Sequence, residues 1–94
     1  GEIMGLHPGF ILGKDNPWPS GAFSQRYISH QHGAFLLTEG GYRFLASRST
    51  NGTTFNHRSI LEGQSTGALE NGDEICAAGK LRVKYYAVKL QEEG

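Results

Sequence analysis

This 94-residue chain has no net charge, no cysteine pair and no long apolar run. Nine basic and nine acidic residues cancel, which excludes a general electrostatic grip on nucleic acid or on an anionic membrane surface. No apolar run approaches the ~20 residues of a membrane-spanning helix. The single Cys76 has no intrachain disulfide partner and suits a reducing compartment, so a cytoplasmic location (nuclear if eukaryotic) is expected. Its neighbours Ile75, Ala77 and Ala78 are apolar, and Cys76 is read as a small core residue. The four histidines are His7, His30, His32 and His57, with no His-Glu motif among them. His30 and His32 can share one strand face, but a zinc site needs at least a third protein ligand, which His57 supplies only by folding its loop back. No enzyme activity, metal or cofactor is expected.

Uninterrupted helical windows are also scarce. Fourteen glycines are about twice the usual ~7% share. The stretches between them are β-branched and aromatic, and they predict strands at Phe10–Leu12, Phe35–Leu37, Tyr42–Ala46, Thr53–Asn56, Glu74–Ala78 and Leu81–Leu90. In the last of these, Leu81, Val83 and Tyr85 alternate with Arg82, Lys84 and Tyr86. The apolar phase then slips to Val88 and Leu90, which predicts a bulge. Turn signals fall at 39–41, 49–52, 65–67 and 70–73, while residues 47–69 hold only short apolar pieces and read as loop-rich. Short strands at such spacing mean an all-β, antiparallel sandwich or barrel, with function expected in loops gathered at one end. Phe35, Phe44, Phe55, Ile75 and Tyr85 are expected in the core. Arg82, Lys84 and Lys89 are expected on a solvated face. One domain, 1–94, is expected, excised from a longer protein.

The densest polar segment is Arg48-Ser-Thr-Asn-Gly-Thr-Thr-Phe-Asn56. Asn51-Gly52 predicts a hairpin corner, because both residues tolerate positive φ. A corner does not need Ser49, Thr50, Thr53 and Thr54 around it. A second polar cluster, Tyr27 to Gly33, would place Ile28, His30 and His32 on one face and Ser29 and Gln31 on the other if it runs as a regular strand.

Four ordered motifs carry a resemblance. Gly13-Lys14, Ser29-His30-Gln31-His32, Ser49-Thr50-Asn51-Gly52-Thr53 and Leu69-Glu70-Asn71-Gly72-Asp73-Glu74-Ile75 resemble Gly-Arg, Ser-x-x-His, Ser-x-Asn-Gly-Thr and Leu-x-x-Gly-Asp-x-Ile of the forkhead-associated (FHA) domain, over roughly residues 9–88. The resemblance implies a non-catalytic β-sandwich. It also implies a phosphothreonine-containing protein segment as partner, bound by loops at one end, and a monomeric domain.

By that resemblance Lys14, Ser29, His30, Thr50 and Asn51 meet the phosphopeptide, and Gly13, His32, Ser49, Gly52 and Asp73 support the loops. The chemistry suits the ligand. A phosphothreonine carries about −1.5 to −2 charges and three strong acceptor oxygens, so its site needs donors held ready. Ser29 and Thr50 offer hydroxyls, backbone N–H groups in a tight turn add a nest, and Lys14 offers a cation. Asn51 carries donor and acceptor in one amide and can pair with the main chain of an extended peptide. His32 is expected to brace the loops, and Asp73 to accept from turn N–H groups.

Three positions depart from the family pattern. Lys14 replaces arginine and loses the planar fork, an expected weakening of ~1 kcal/mol. His30 stands where arginine, lysine or asparagine is usual and is expected to reach the phosphate, with a pH-dependent affinity. Ala46 replaces an aspartate and forfeits a structural hydrogen bond. The same sandwich acting as a phosphate-independent interaction or scaffold domain is the alternative reading. Trp18 and Tyr27, in the loop before Ser29, are candidates for reading residues around the phosphothreonine.

Overall fold

The computed structural model describes residues 3–13, 15 and 28–87. Seven strands and no helix appear among them: β1 (Phe10–Leu12), β2 (Gly33–Thr38), β3 (Gly41–Ala46), β4 (Thr53–Phe55), β5 (Arg58–Ile60), β6 (Glu74–Ala77) and β7 (Leu81–Lys84). They form two antiparallel sheets, ordered β1-β2-β3 and β5-β4-β6-β7. The expected antiparallel β-sandwich is what forms.

Period-two alternation explains the core. Phe10, Leu12, Phe35 and Phe44 project from the first sheet, and Ile75, Ala77 and Val83 from the second, into one buried cluster completed by Ile28 and Leu69. Phe35 and Phe44 face each other directly across β2 and β3. Their rings meet edge-on with centroids 5.0 Å apart, a favoured aromatic geometry that adds to the burial. Cys76 is buried. Phe55 and Tyr85, expected in the core, are only partly buried and pack against it. Phe55 is the last residue of β4 and Tyr85 follows β7, where the Tyr85 ring meets Tyr42 of the other sheet with centroids 6.2 Å apart.

Several expectations need correction. Asn51-Gly52 is not the corner of a β-hairpin, because β3 and β4 belong to different sheets. The loop between them crosses from one sheet to the other, and Gly52, at φ +80°, turns the chain into β4. The hairpin lies one strand later. Phe55 pairs with Arg58, leaving Asn56 and His57 as a two-residue loop with φ of 47° and 70°, the backbone signs of a type I′ turn.

Residues 47–69 are therefore more ordered than a loop. They contain β4 and β5, and residues 63–69 run along the outer edge of β3. There the Thr66 N–H donates to Phe44 O (2.9 Å), the Ala46 N–H to Gln64 O (2.9 Å) and the Leu69 N–H to Tyr42 O (2.8 Å). The Thr66 hydroxyl oxygen accepts the Phe44 N–H at 3.0 Å. An edge that would otherwise template another strand is thus covered. The expected strand 81–90 ends at Lys84, and Val88, Lys89 and Leu90 lie outside the described residues, as does the expected bulge.

Candidate functional site

Residues 28–32 are not a strand. Ile28 and His32 are buried while His30 is exposed, so the expected shared face for Ile28, His30 and His32 is not formed. Bends at His30 and His32 break the alternation. Three main-chain hydrogen bonds hold the segment instead. The His32 N–H donates to Leu12 O (2.7 Å), the Ser47 N–H to His32 O (2.9 Å) and the Asp15 N–H to His30 O (3.0 Å). The first two continue the β1-β2 and β2-β3 pairings past the strand ends, so β2 delivers residues 28–32 between its two neighbours.

Gly13 permits the close approach. It sits at φ +147°, and a Cβ there would lie 2.4 Å from His30 O and 2.9 Å from Gln31 Cα.

His32 carries the local architecture. It is fully buried. The Ser29 N–H donates to its Nε2 at 2.9 Å, so Nε2 carries no proton. The neutral ring then holds its hydrogen on Nδ1, which donates to Thr53 Oγ1 at 2.9 Å. Burial disfavours the charged imidazolium and lowers the pKa of His32 below the ordinary value. One side chain thereby ties the 28–32 segment to the first residue of β4.

The second tie is Ser29 itself, whose Oγ accepts the Thr50 N–H at 3.2 Å. With one lone pair used, its O–H proton has no acceptor among the described residues. Ser29, Thr50 and Asn51 line one open depression of about 950 Å³, shared with Ser49, His30 and Gln31. The two polar clusters of the sequence meet at one tip of the sandwich.

Not every expected residue gathers there. Lys14, Trp18 and Tyr27 lie outside the described residues. Asp73 accepts the Glu70 N–H (2.8 Å) and the Asn56 side-chain amide (3.0 Å), while Asn56 Oδ1 accepts the Glu74 N–H (2.8 Å). This brace sits at the far end of β4 from Asn51, beside Phe55 and Ile75. Asp73 accepts from a turn N–H as expected, and antiparallel pairing of β4 with β6 places that brace at the opposite end of β4 from Asn51.

Two charged lining residues, Asp15 and Arg48, had no expected role. Asp15 accepts from His30 Nδ1 at 2.8 Å and from Gln31 Nε2 at 3.3 Å. The His30 bond is the main cause of a carboxyl pKa below the ordinary value. Arg48 also lines the depression. Charged loop residues read as solvated surface, and the only sequence signal for Arg48 was a cation two residues before Thr50.

The FHA domain family model matches residues 10–77. Among solved structures, the chain is similar to the NMR-based structure of the FHA-2 domain from the Mycobacterium tuberculosis ABC transporter Rv1747. The TM-score is 0.50 at 19% identity, covering 100% of this chain and 93% of that one. Comparison with curated proteins found no match.

Proposed function

Given that this chain belongs to the FHA domain family, a family of protein-interaction modules, we propose that it binds a phosphothreonine-containing segment of a partner protein at the tip formed by residues 28–32 and 47–51. The observation that carries this reading is the Ser29–Thr50 junction. The Thr50 N–H occupies a lone pair of the Ser29 hydroxyl, which leaves the Ser29 proton to donate into the depression beside Thr50. Donors fixed before the ligand arrives cost little ordering on binding, and a phosphate offers three acceptors to receive them. Asn51, on the same rim, suits the ligand's main chain.

The test is an array of phosphothreonine, phosphoserine, phosphotyrosine and unmodified peptides probed with the 94-residue chain. Phosphothreonine should lead, its methyl group contributing about 0.8 kcal/mol over serine. Ser29→Ala should weaken the best phosphopeptide at least tenfold, since charge-assisted hydrogen bonds contribute ~1.5–3 kcal/mol.

One observation favours a second reading. The Asp15 carboxylate also lines the depression, and a like charge opposes a phosphate. On that reading the module binds its partner without phosphate, and equal signals from phosphorylated and plain peptides would establish it.

A further inference from the structure

We propose that Arg48 is the guanidinium that grips the phosphate of the bound segment; this rests on the phosphothreonine reading above and adds a residue to it. A dianionic group needs positive charge in its site, and the charges of the described lining do not provide it without Arg48. Asp15 contributes a carboxylate, held by His30 and Gln31. Ser29, Ser47, Ser49, Thr50 and Asn51 are neutral. Arg48 is the one permanent cation among the described lining residues. Without it the described lining is neutral or negative, which opposes a phosphate; with it, the Asp15 charge is offset.

Placement favours this role. Arg48 stands between two anchored residues: the Ser47 N–H is bonded to His32 O at 2.9 Å, and the Thr50 N–H to Ser29 Oγ at 3.2 Å. Its main chain is therefore held to the segment that carries the Ser29 hydroxyl. Its side chain is exposed, and no described carboxylate forms an ion pair with it; the salt bridge found among the described residues joins His30 and Asp15. An unpaired guanidinium on the rim of a donor-lined depression keeps its five N–H groups available, and its planar fork matches two phosphate oxygens at once. Position 14, where the family pattern has arginine, holds a lysine, a residue type without that fork. Arg48 supplies the fork.

The experiment compares the wild-type chain with Arg48→Ala, Arg48→Lys and Ser29→Ala. The ligand is the tightest phosphothreonine peptide of the array and its unphosphorylated twin, titrated calorimetrically. Arg48→Ala should weaken the phosphopeptide at least tenfold and leave the melting temperature within about 1 °C, because the side chain is exposed and unbonded. Arg48→Lys should recover less than half of that loss on a logarithmic scale, since lysine keeps the charge and lacks the fork. Wild-type affinity in Arg48→Ala alongside weakened binding in Ser29→Ala would overturn the Arg48 assignment and leave the phosphothreonine reading standing. Full recovery by lysine would overturn the bidentate grip. If the wild-type chain does not distinguish the phosphopeptide from its twin, the reading itself falls and the assignment falls with it.

Discussion

Replacing His32 with alanine should cost about 4 kcal/mol of folding stability, a large fraction of the ~5–15 kcal/mol that holds a domain together. Three losses add. The ring is fully buried, so its removal leaves a cavity. The Ser29 N–H loses its acceptor on Nε2 and the Thr53 hydroxyl its donor on Nδ1, each a buried or half-buried group worth ~1–3 kcal/mol when left unpaired. Urea unfolding followed by tryptophan fluorescence measures the loss; a midpoint within error of wild type would refute the bridging role. The variant should also fail to bind phosphopeptide, because Ser29 and Thr50 would no longer be held at one junction.

The same residue sets an acid limit. Burial lowers the pKa of His32 in the folded state, so between that value and ~6.5 the unfolded chain binds a proton there that the folded chain does not. Folding stability then rises with pH in this window and falls as pH drops through it, by at most ~1.4 kcal/mol per pH unit. Above ~6.5 the His32 contribution is fully present. Geometry works in the same direction as burial: a protonated Nε2 would face the Ser29 N–H donor to donor. Asp15, whose pKa is lowered chiefly by its hydrogen bond to His30, keeps its contribution above the ordinary carboxylate value and loses it as pH falls below. A stability profile from pH 8 to 5 should show the decline in wild type. His32→Gln, which keeps polar atoms in the site but does not titrate, should lack the His32 part of that slope.

Gly13→Ala should be the second severe variant, at about 3 kcal/mol. At φ +147° an L-residue is strained by ~1–3 kcal/mol. The new methyl would also meet the His30 carbonyl oxygen at 2.4 Å, a backbone contact that no rotamer change relieves, and overpacking of this kind costs ~1–3 kcal/mol. The strain would be relieved by pushing residues 30–31 away from β1, which opens the His32 N–H to Leu12 O bond. Denaturant unfolding should show the loss, and amide exchange should show His32 and Asp15 unprotected. A variant of wild-type stability with intact protection would mean that Gly13 is not a contact point.

Gly52→Ala provides the contrast. Gly52 also has positive φ, at +80°, but no atom lies within 4 Å of a Cβ there. It should therefore cost only the backbone term, on the order of 1 kcal/mol.

How far the sequence could be read depended on the range of the physical cause. Strands β2, β3, β6 and β7 were legible because β-branched and aromatic content between glycines, with alternation in β7, is a local signal, and Phe35, Phe44 and Ile75 went to the core as expected. Strand β5 was not legible: Arg58-Ser59-Ile60 has one apolar residue, and it becomes a strand through pairing with β4 and the two left-handed residues that reverse the chain. The Asn51-Gly52 corner shows the same limit. A turn residue reports where the chain bends and leaves open which strands the bend joins.

Residue types and their order by themselves determined an all-β antiparallel chain with Ser49, Thr50 and Asn51 in a turn outside the strands, because strand propensity and turn chemistry act over a few neighbours. Tertiary structure alone decided that Ser29 meets Thr50, that buried His32 reaches Thr53 21 positions away, that Asp15 and Arg48 share the depression, and that Asp73 goes to the other end of β4. Those outcomes depend on which strand ends are brought side by side, a global consequence of sheet pairing that local sequence does not encode.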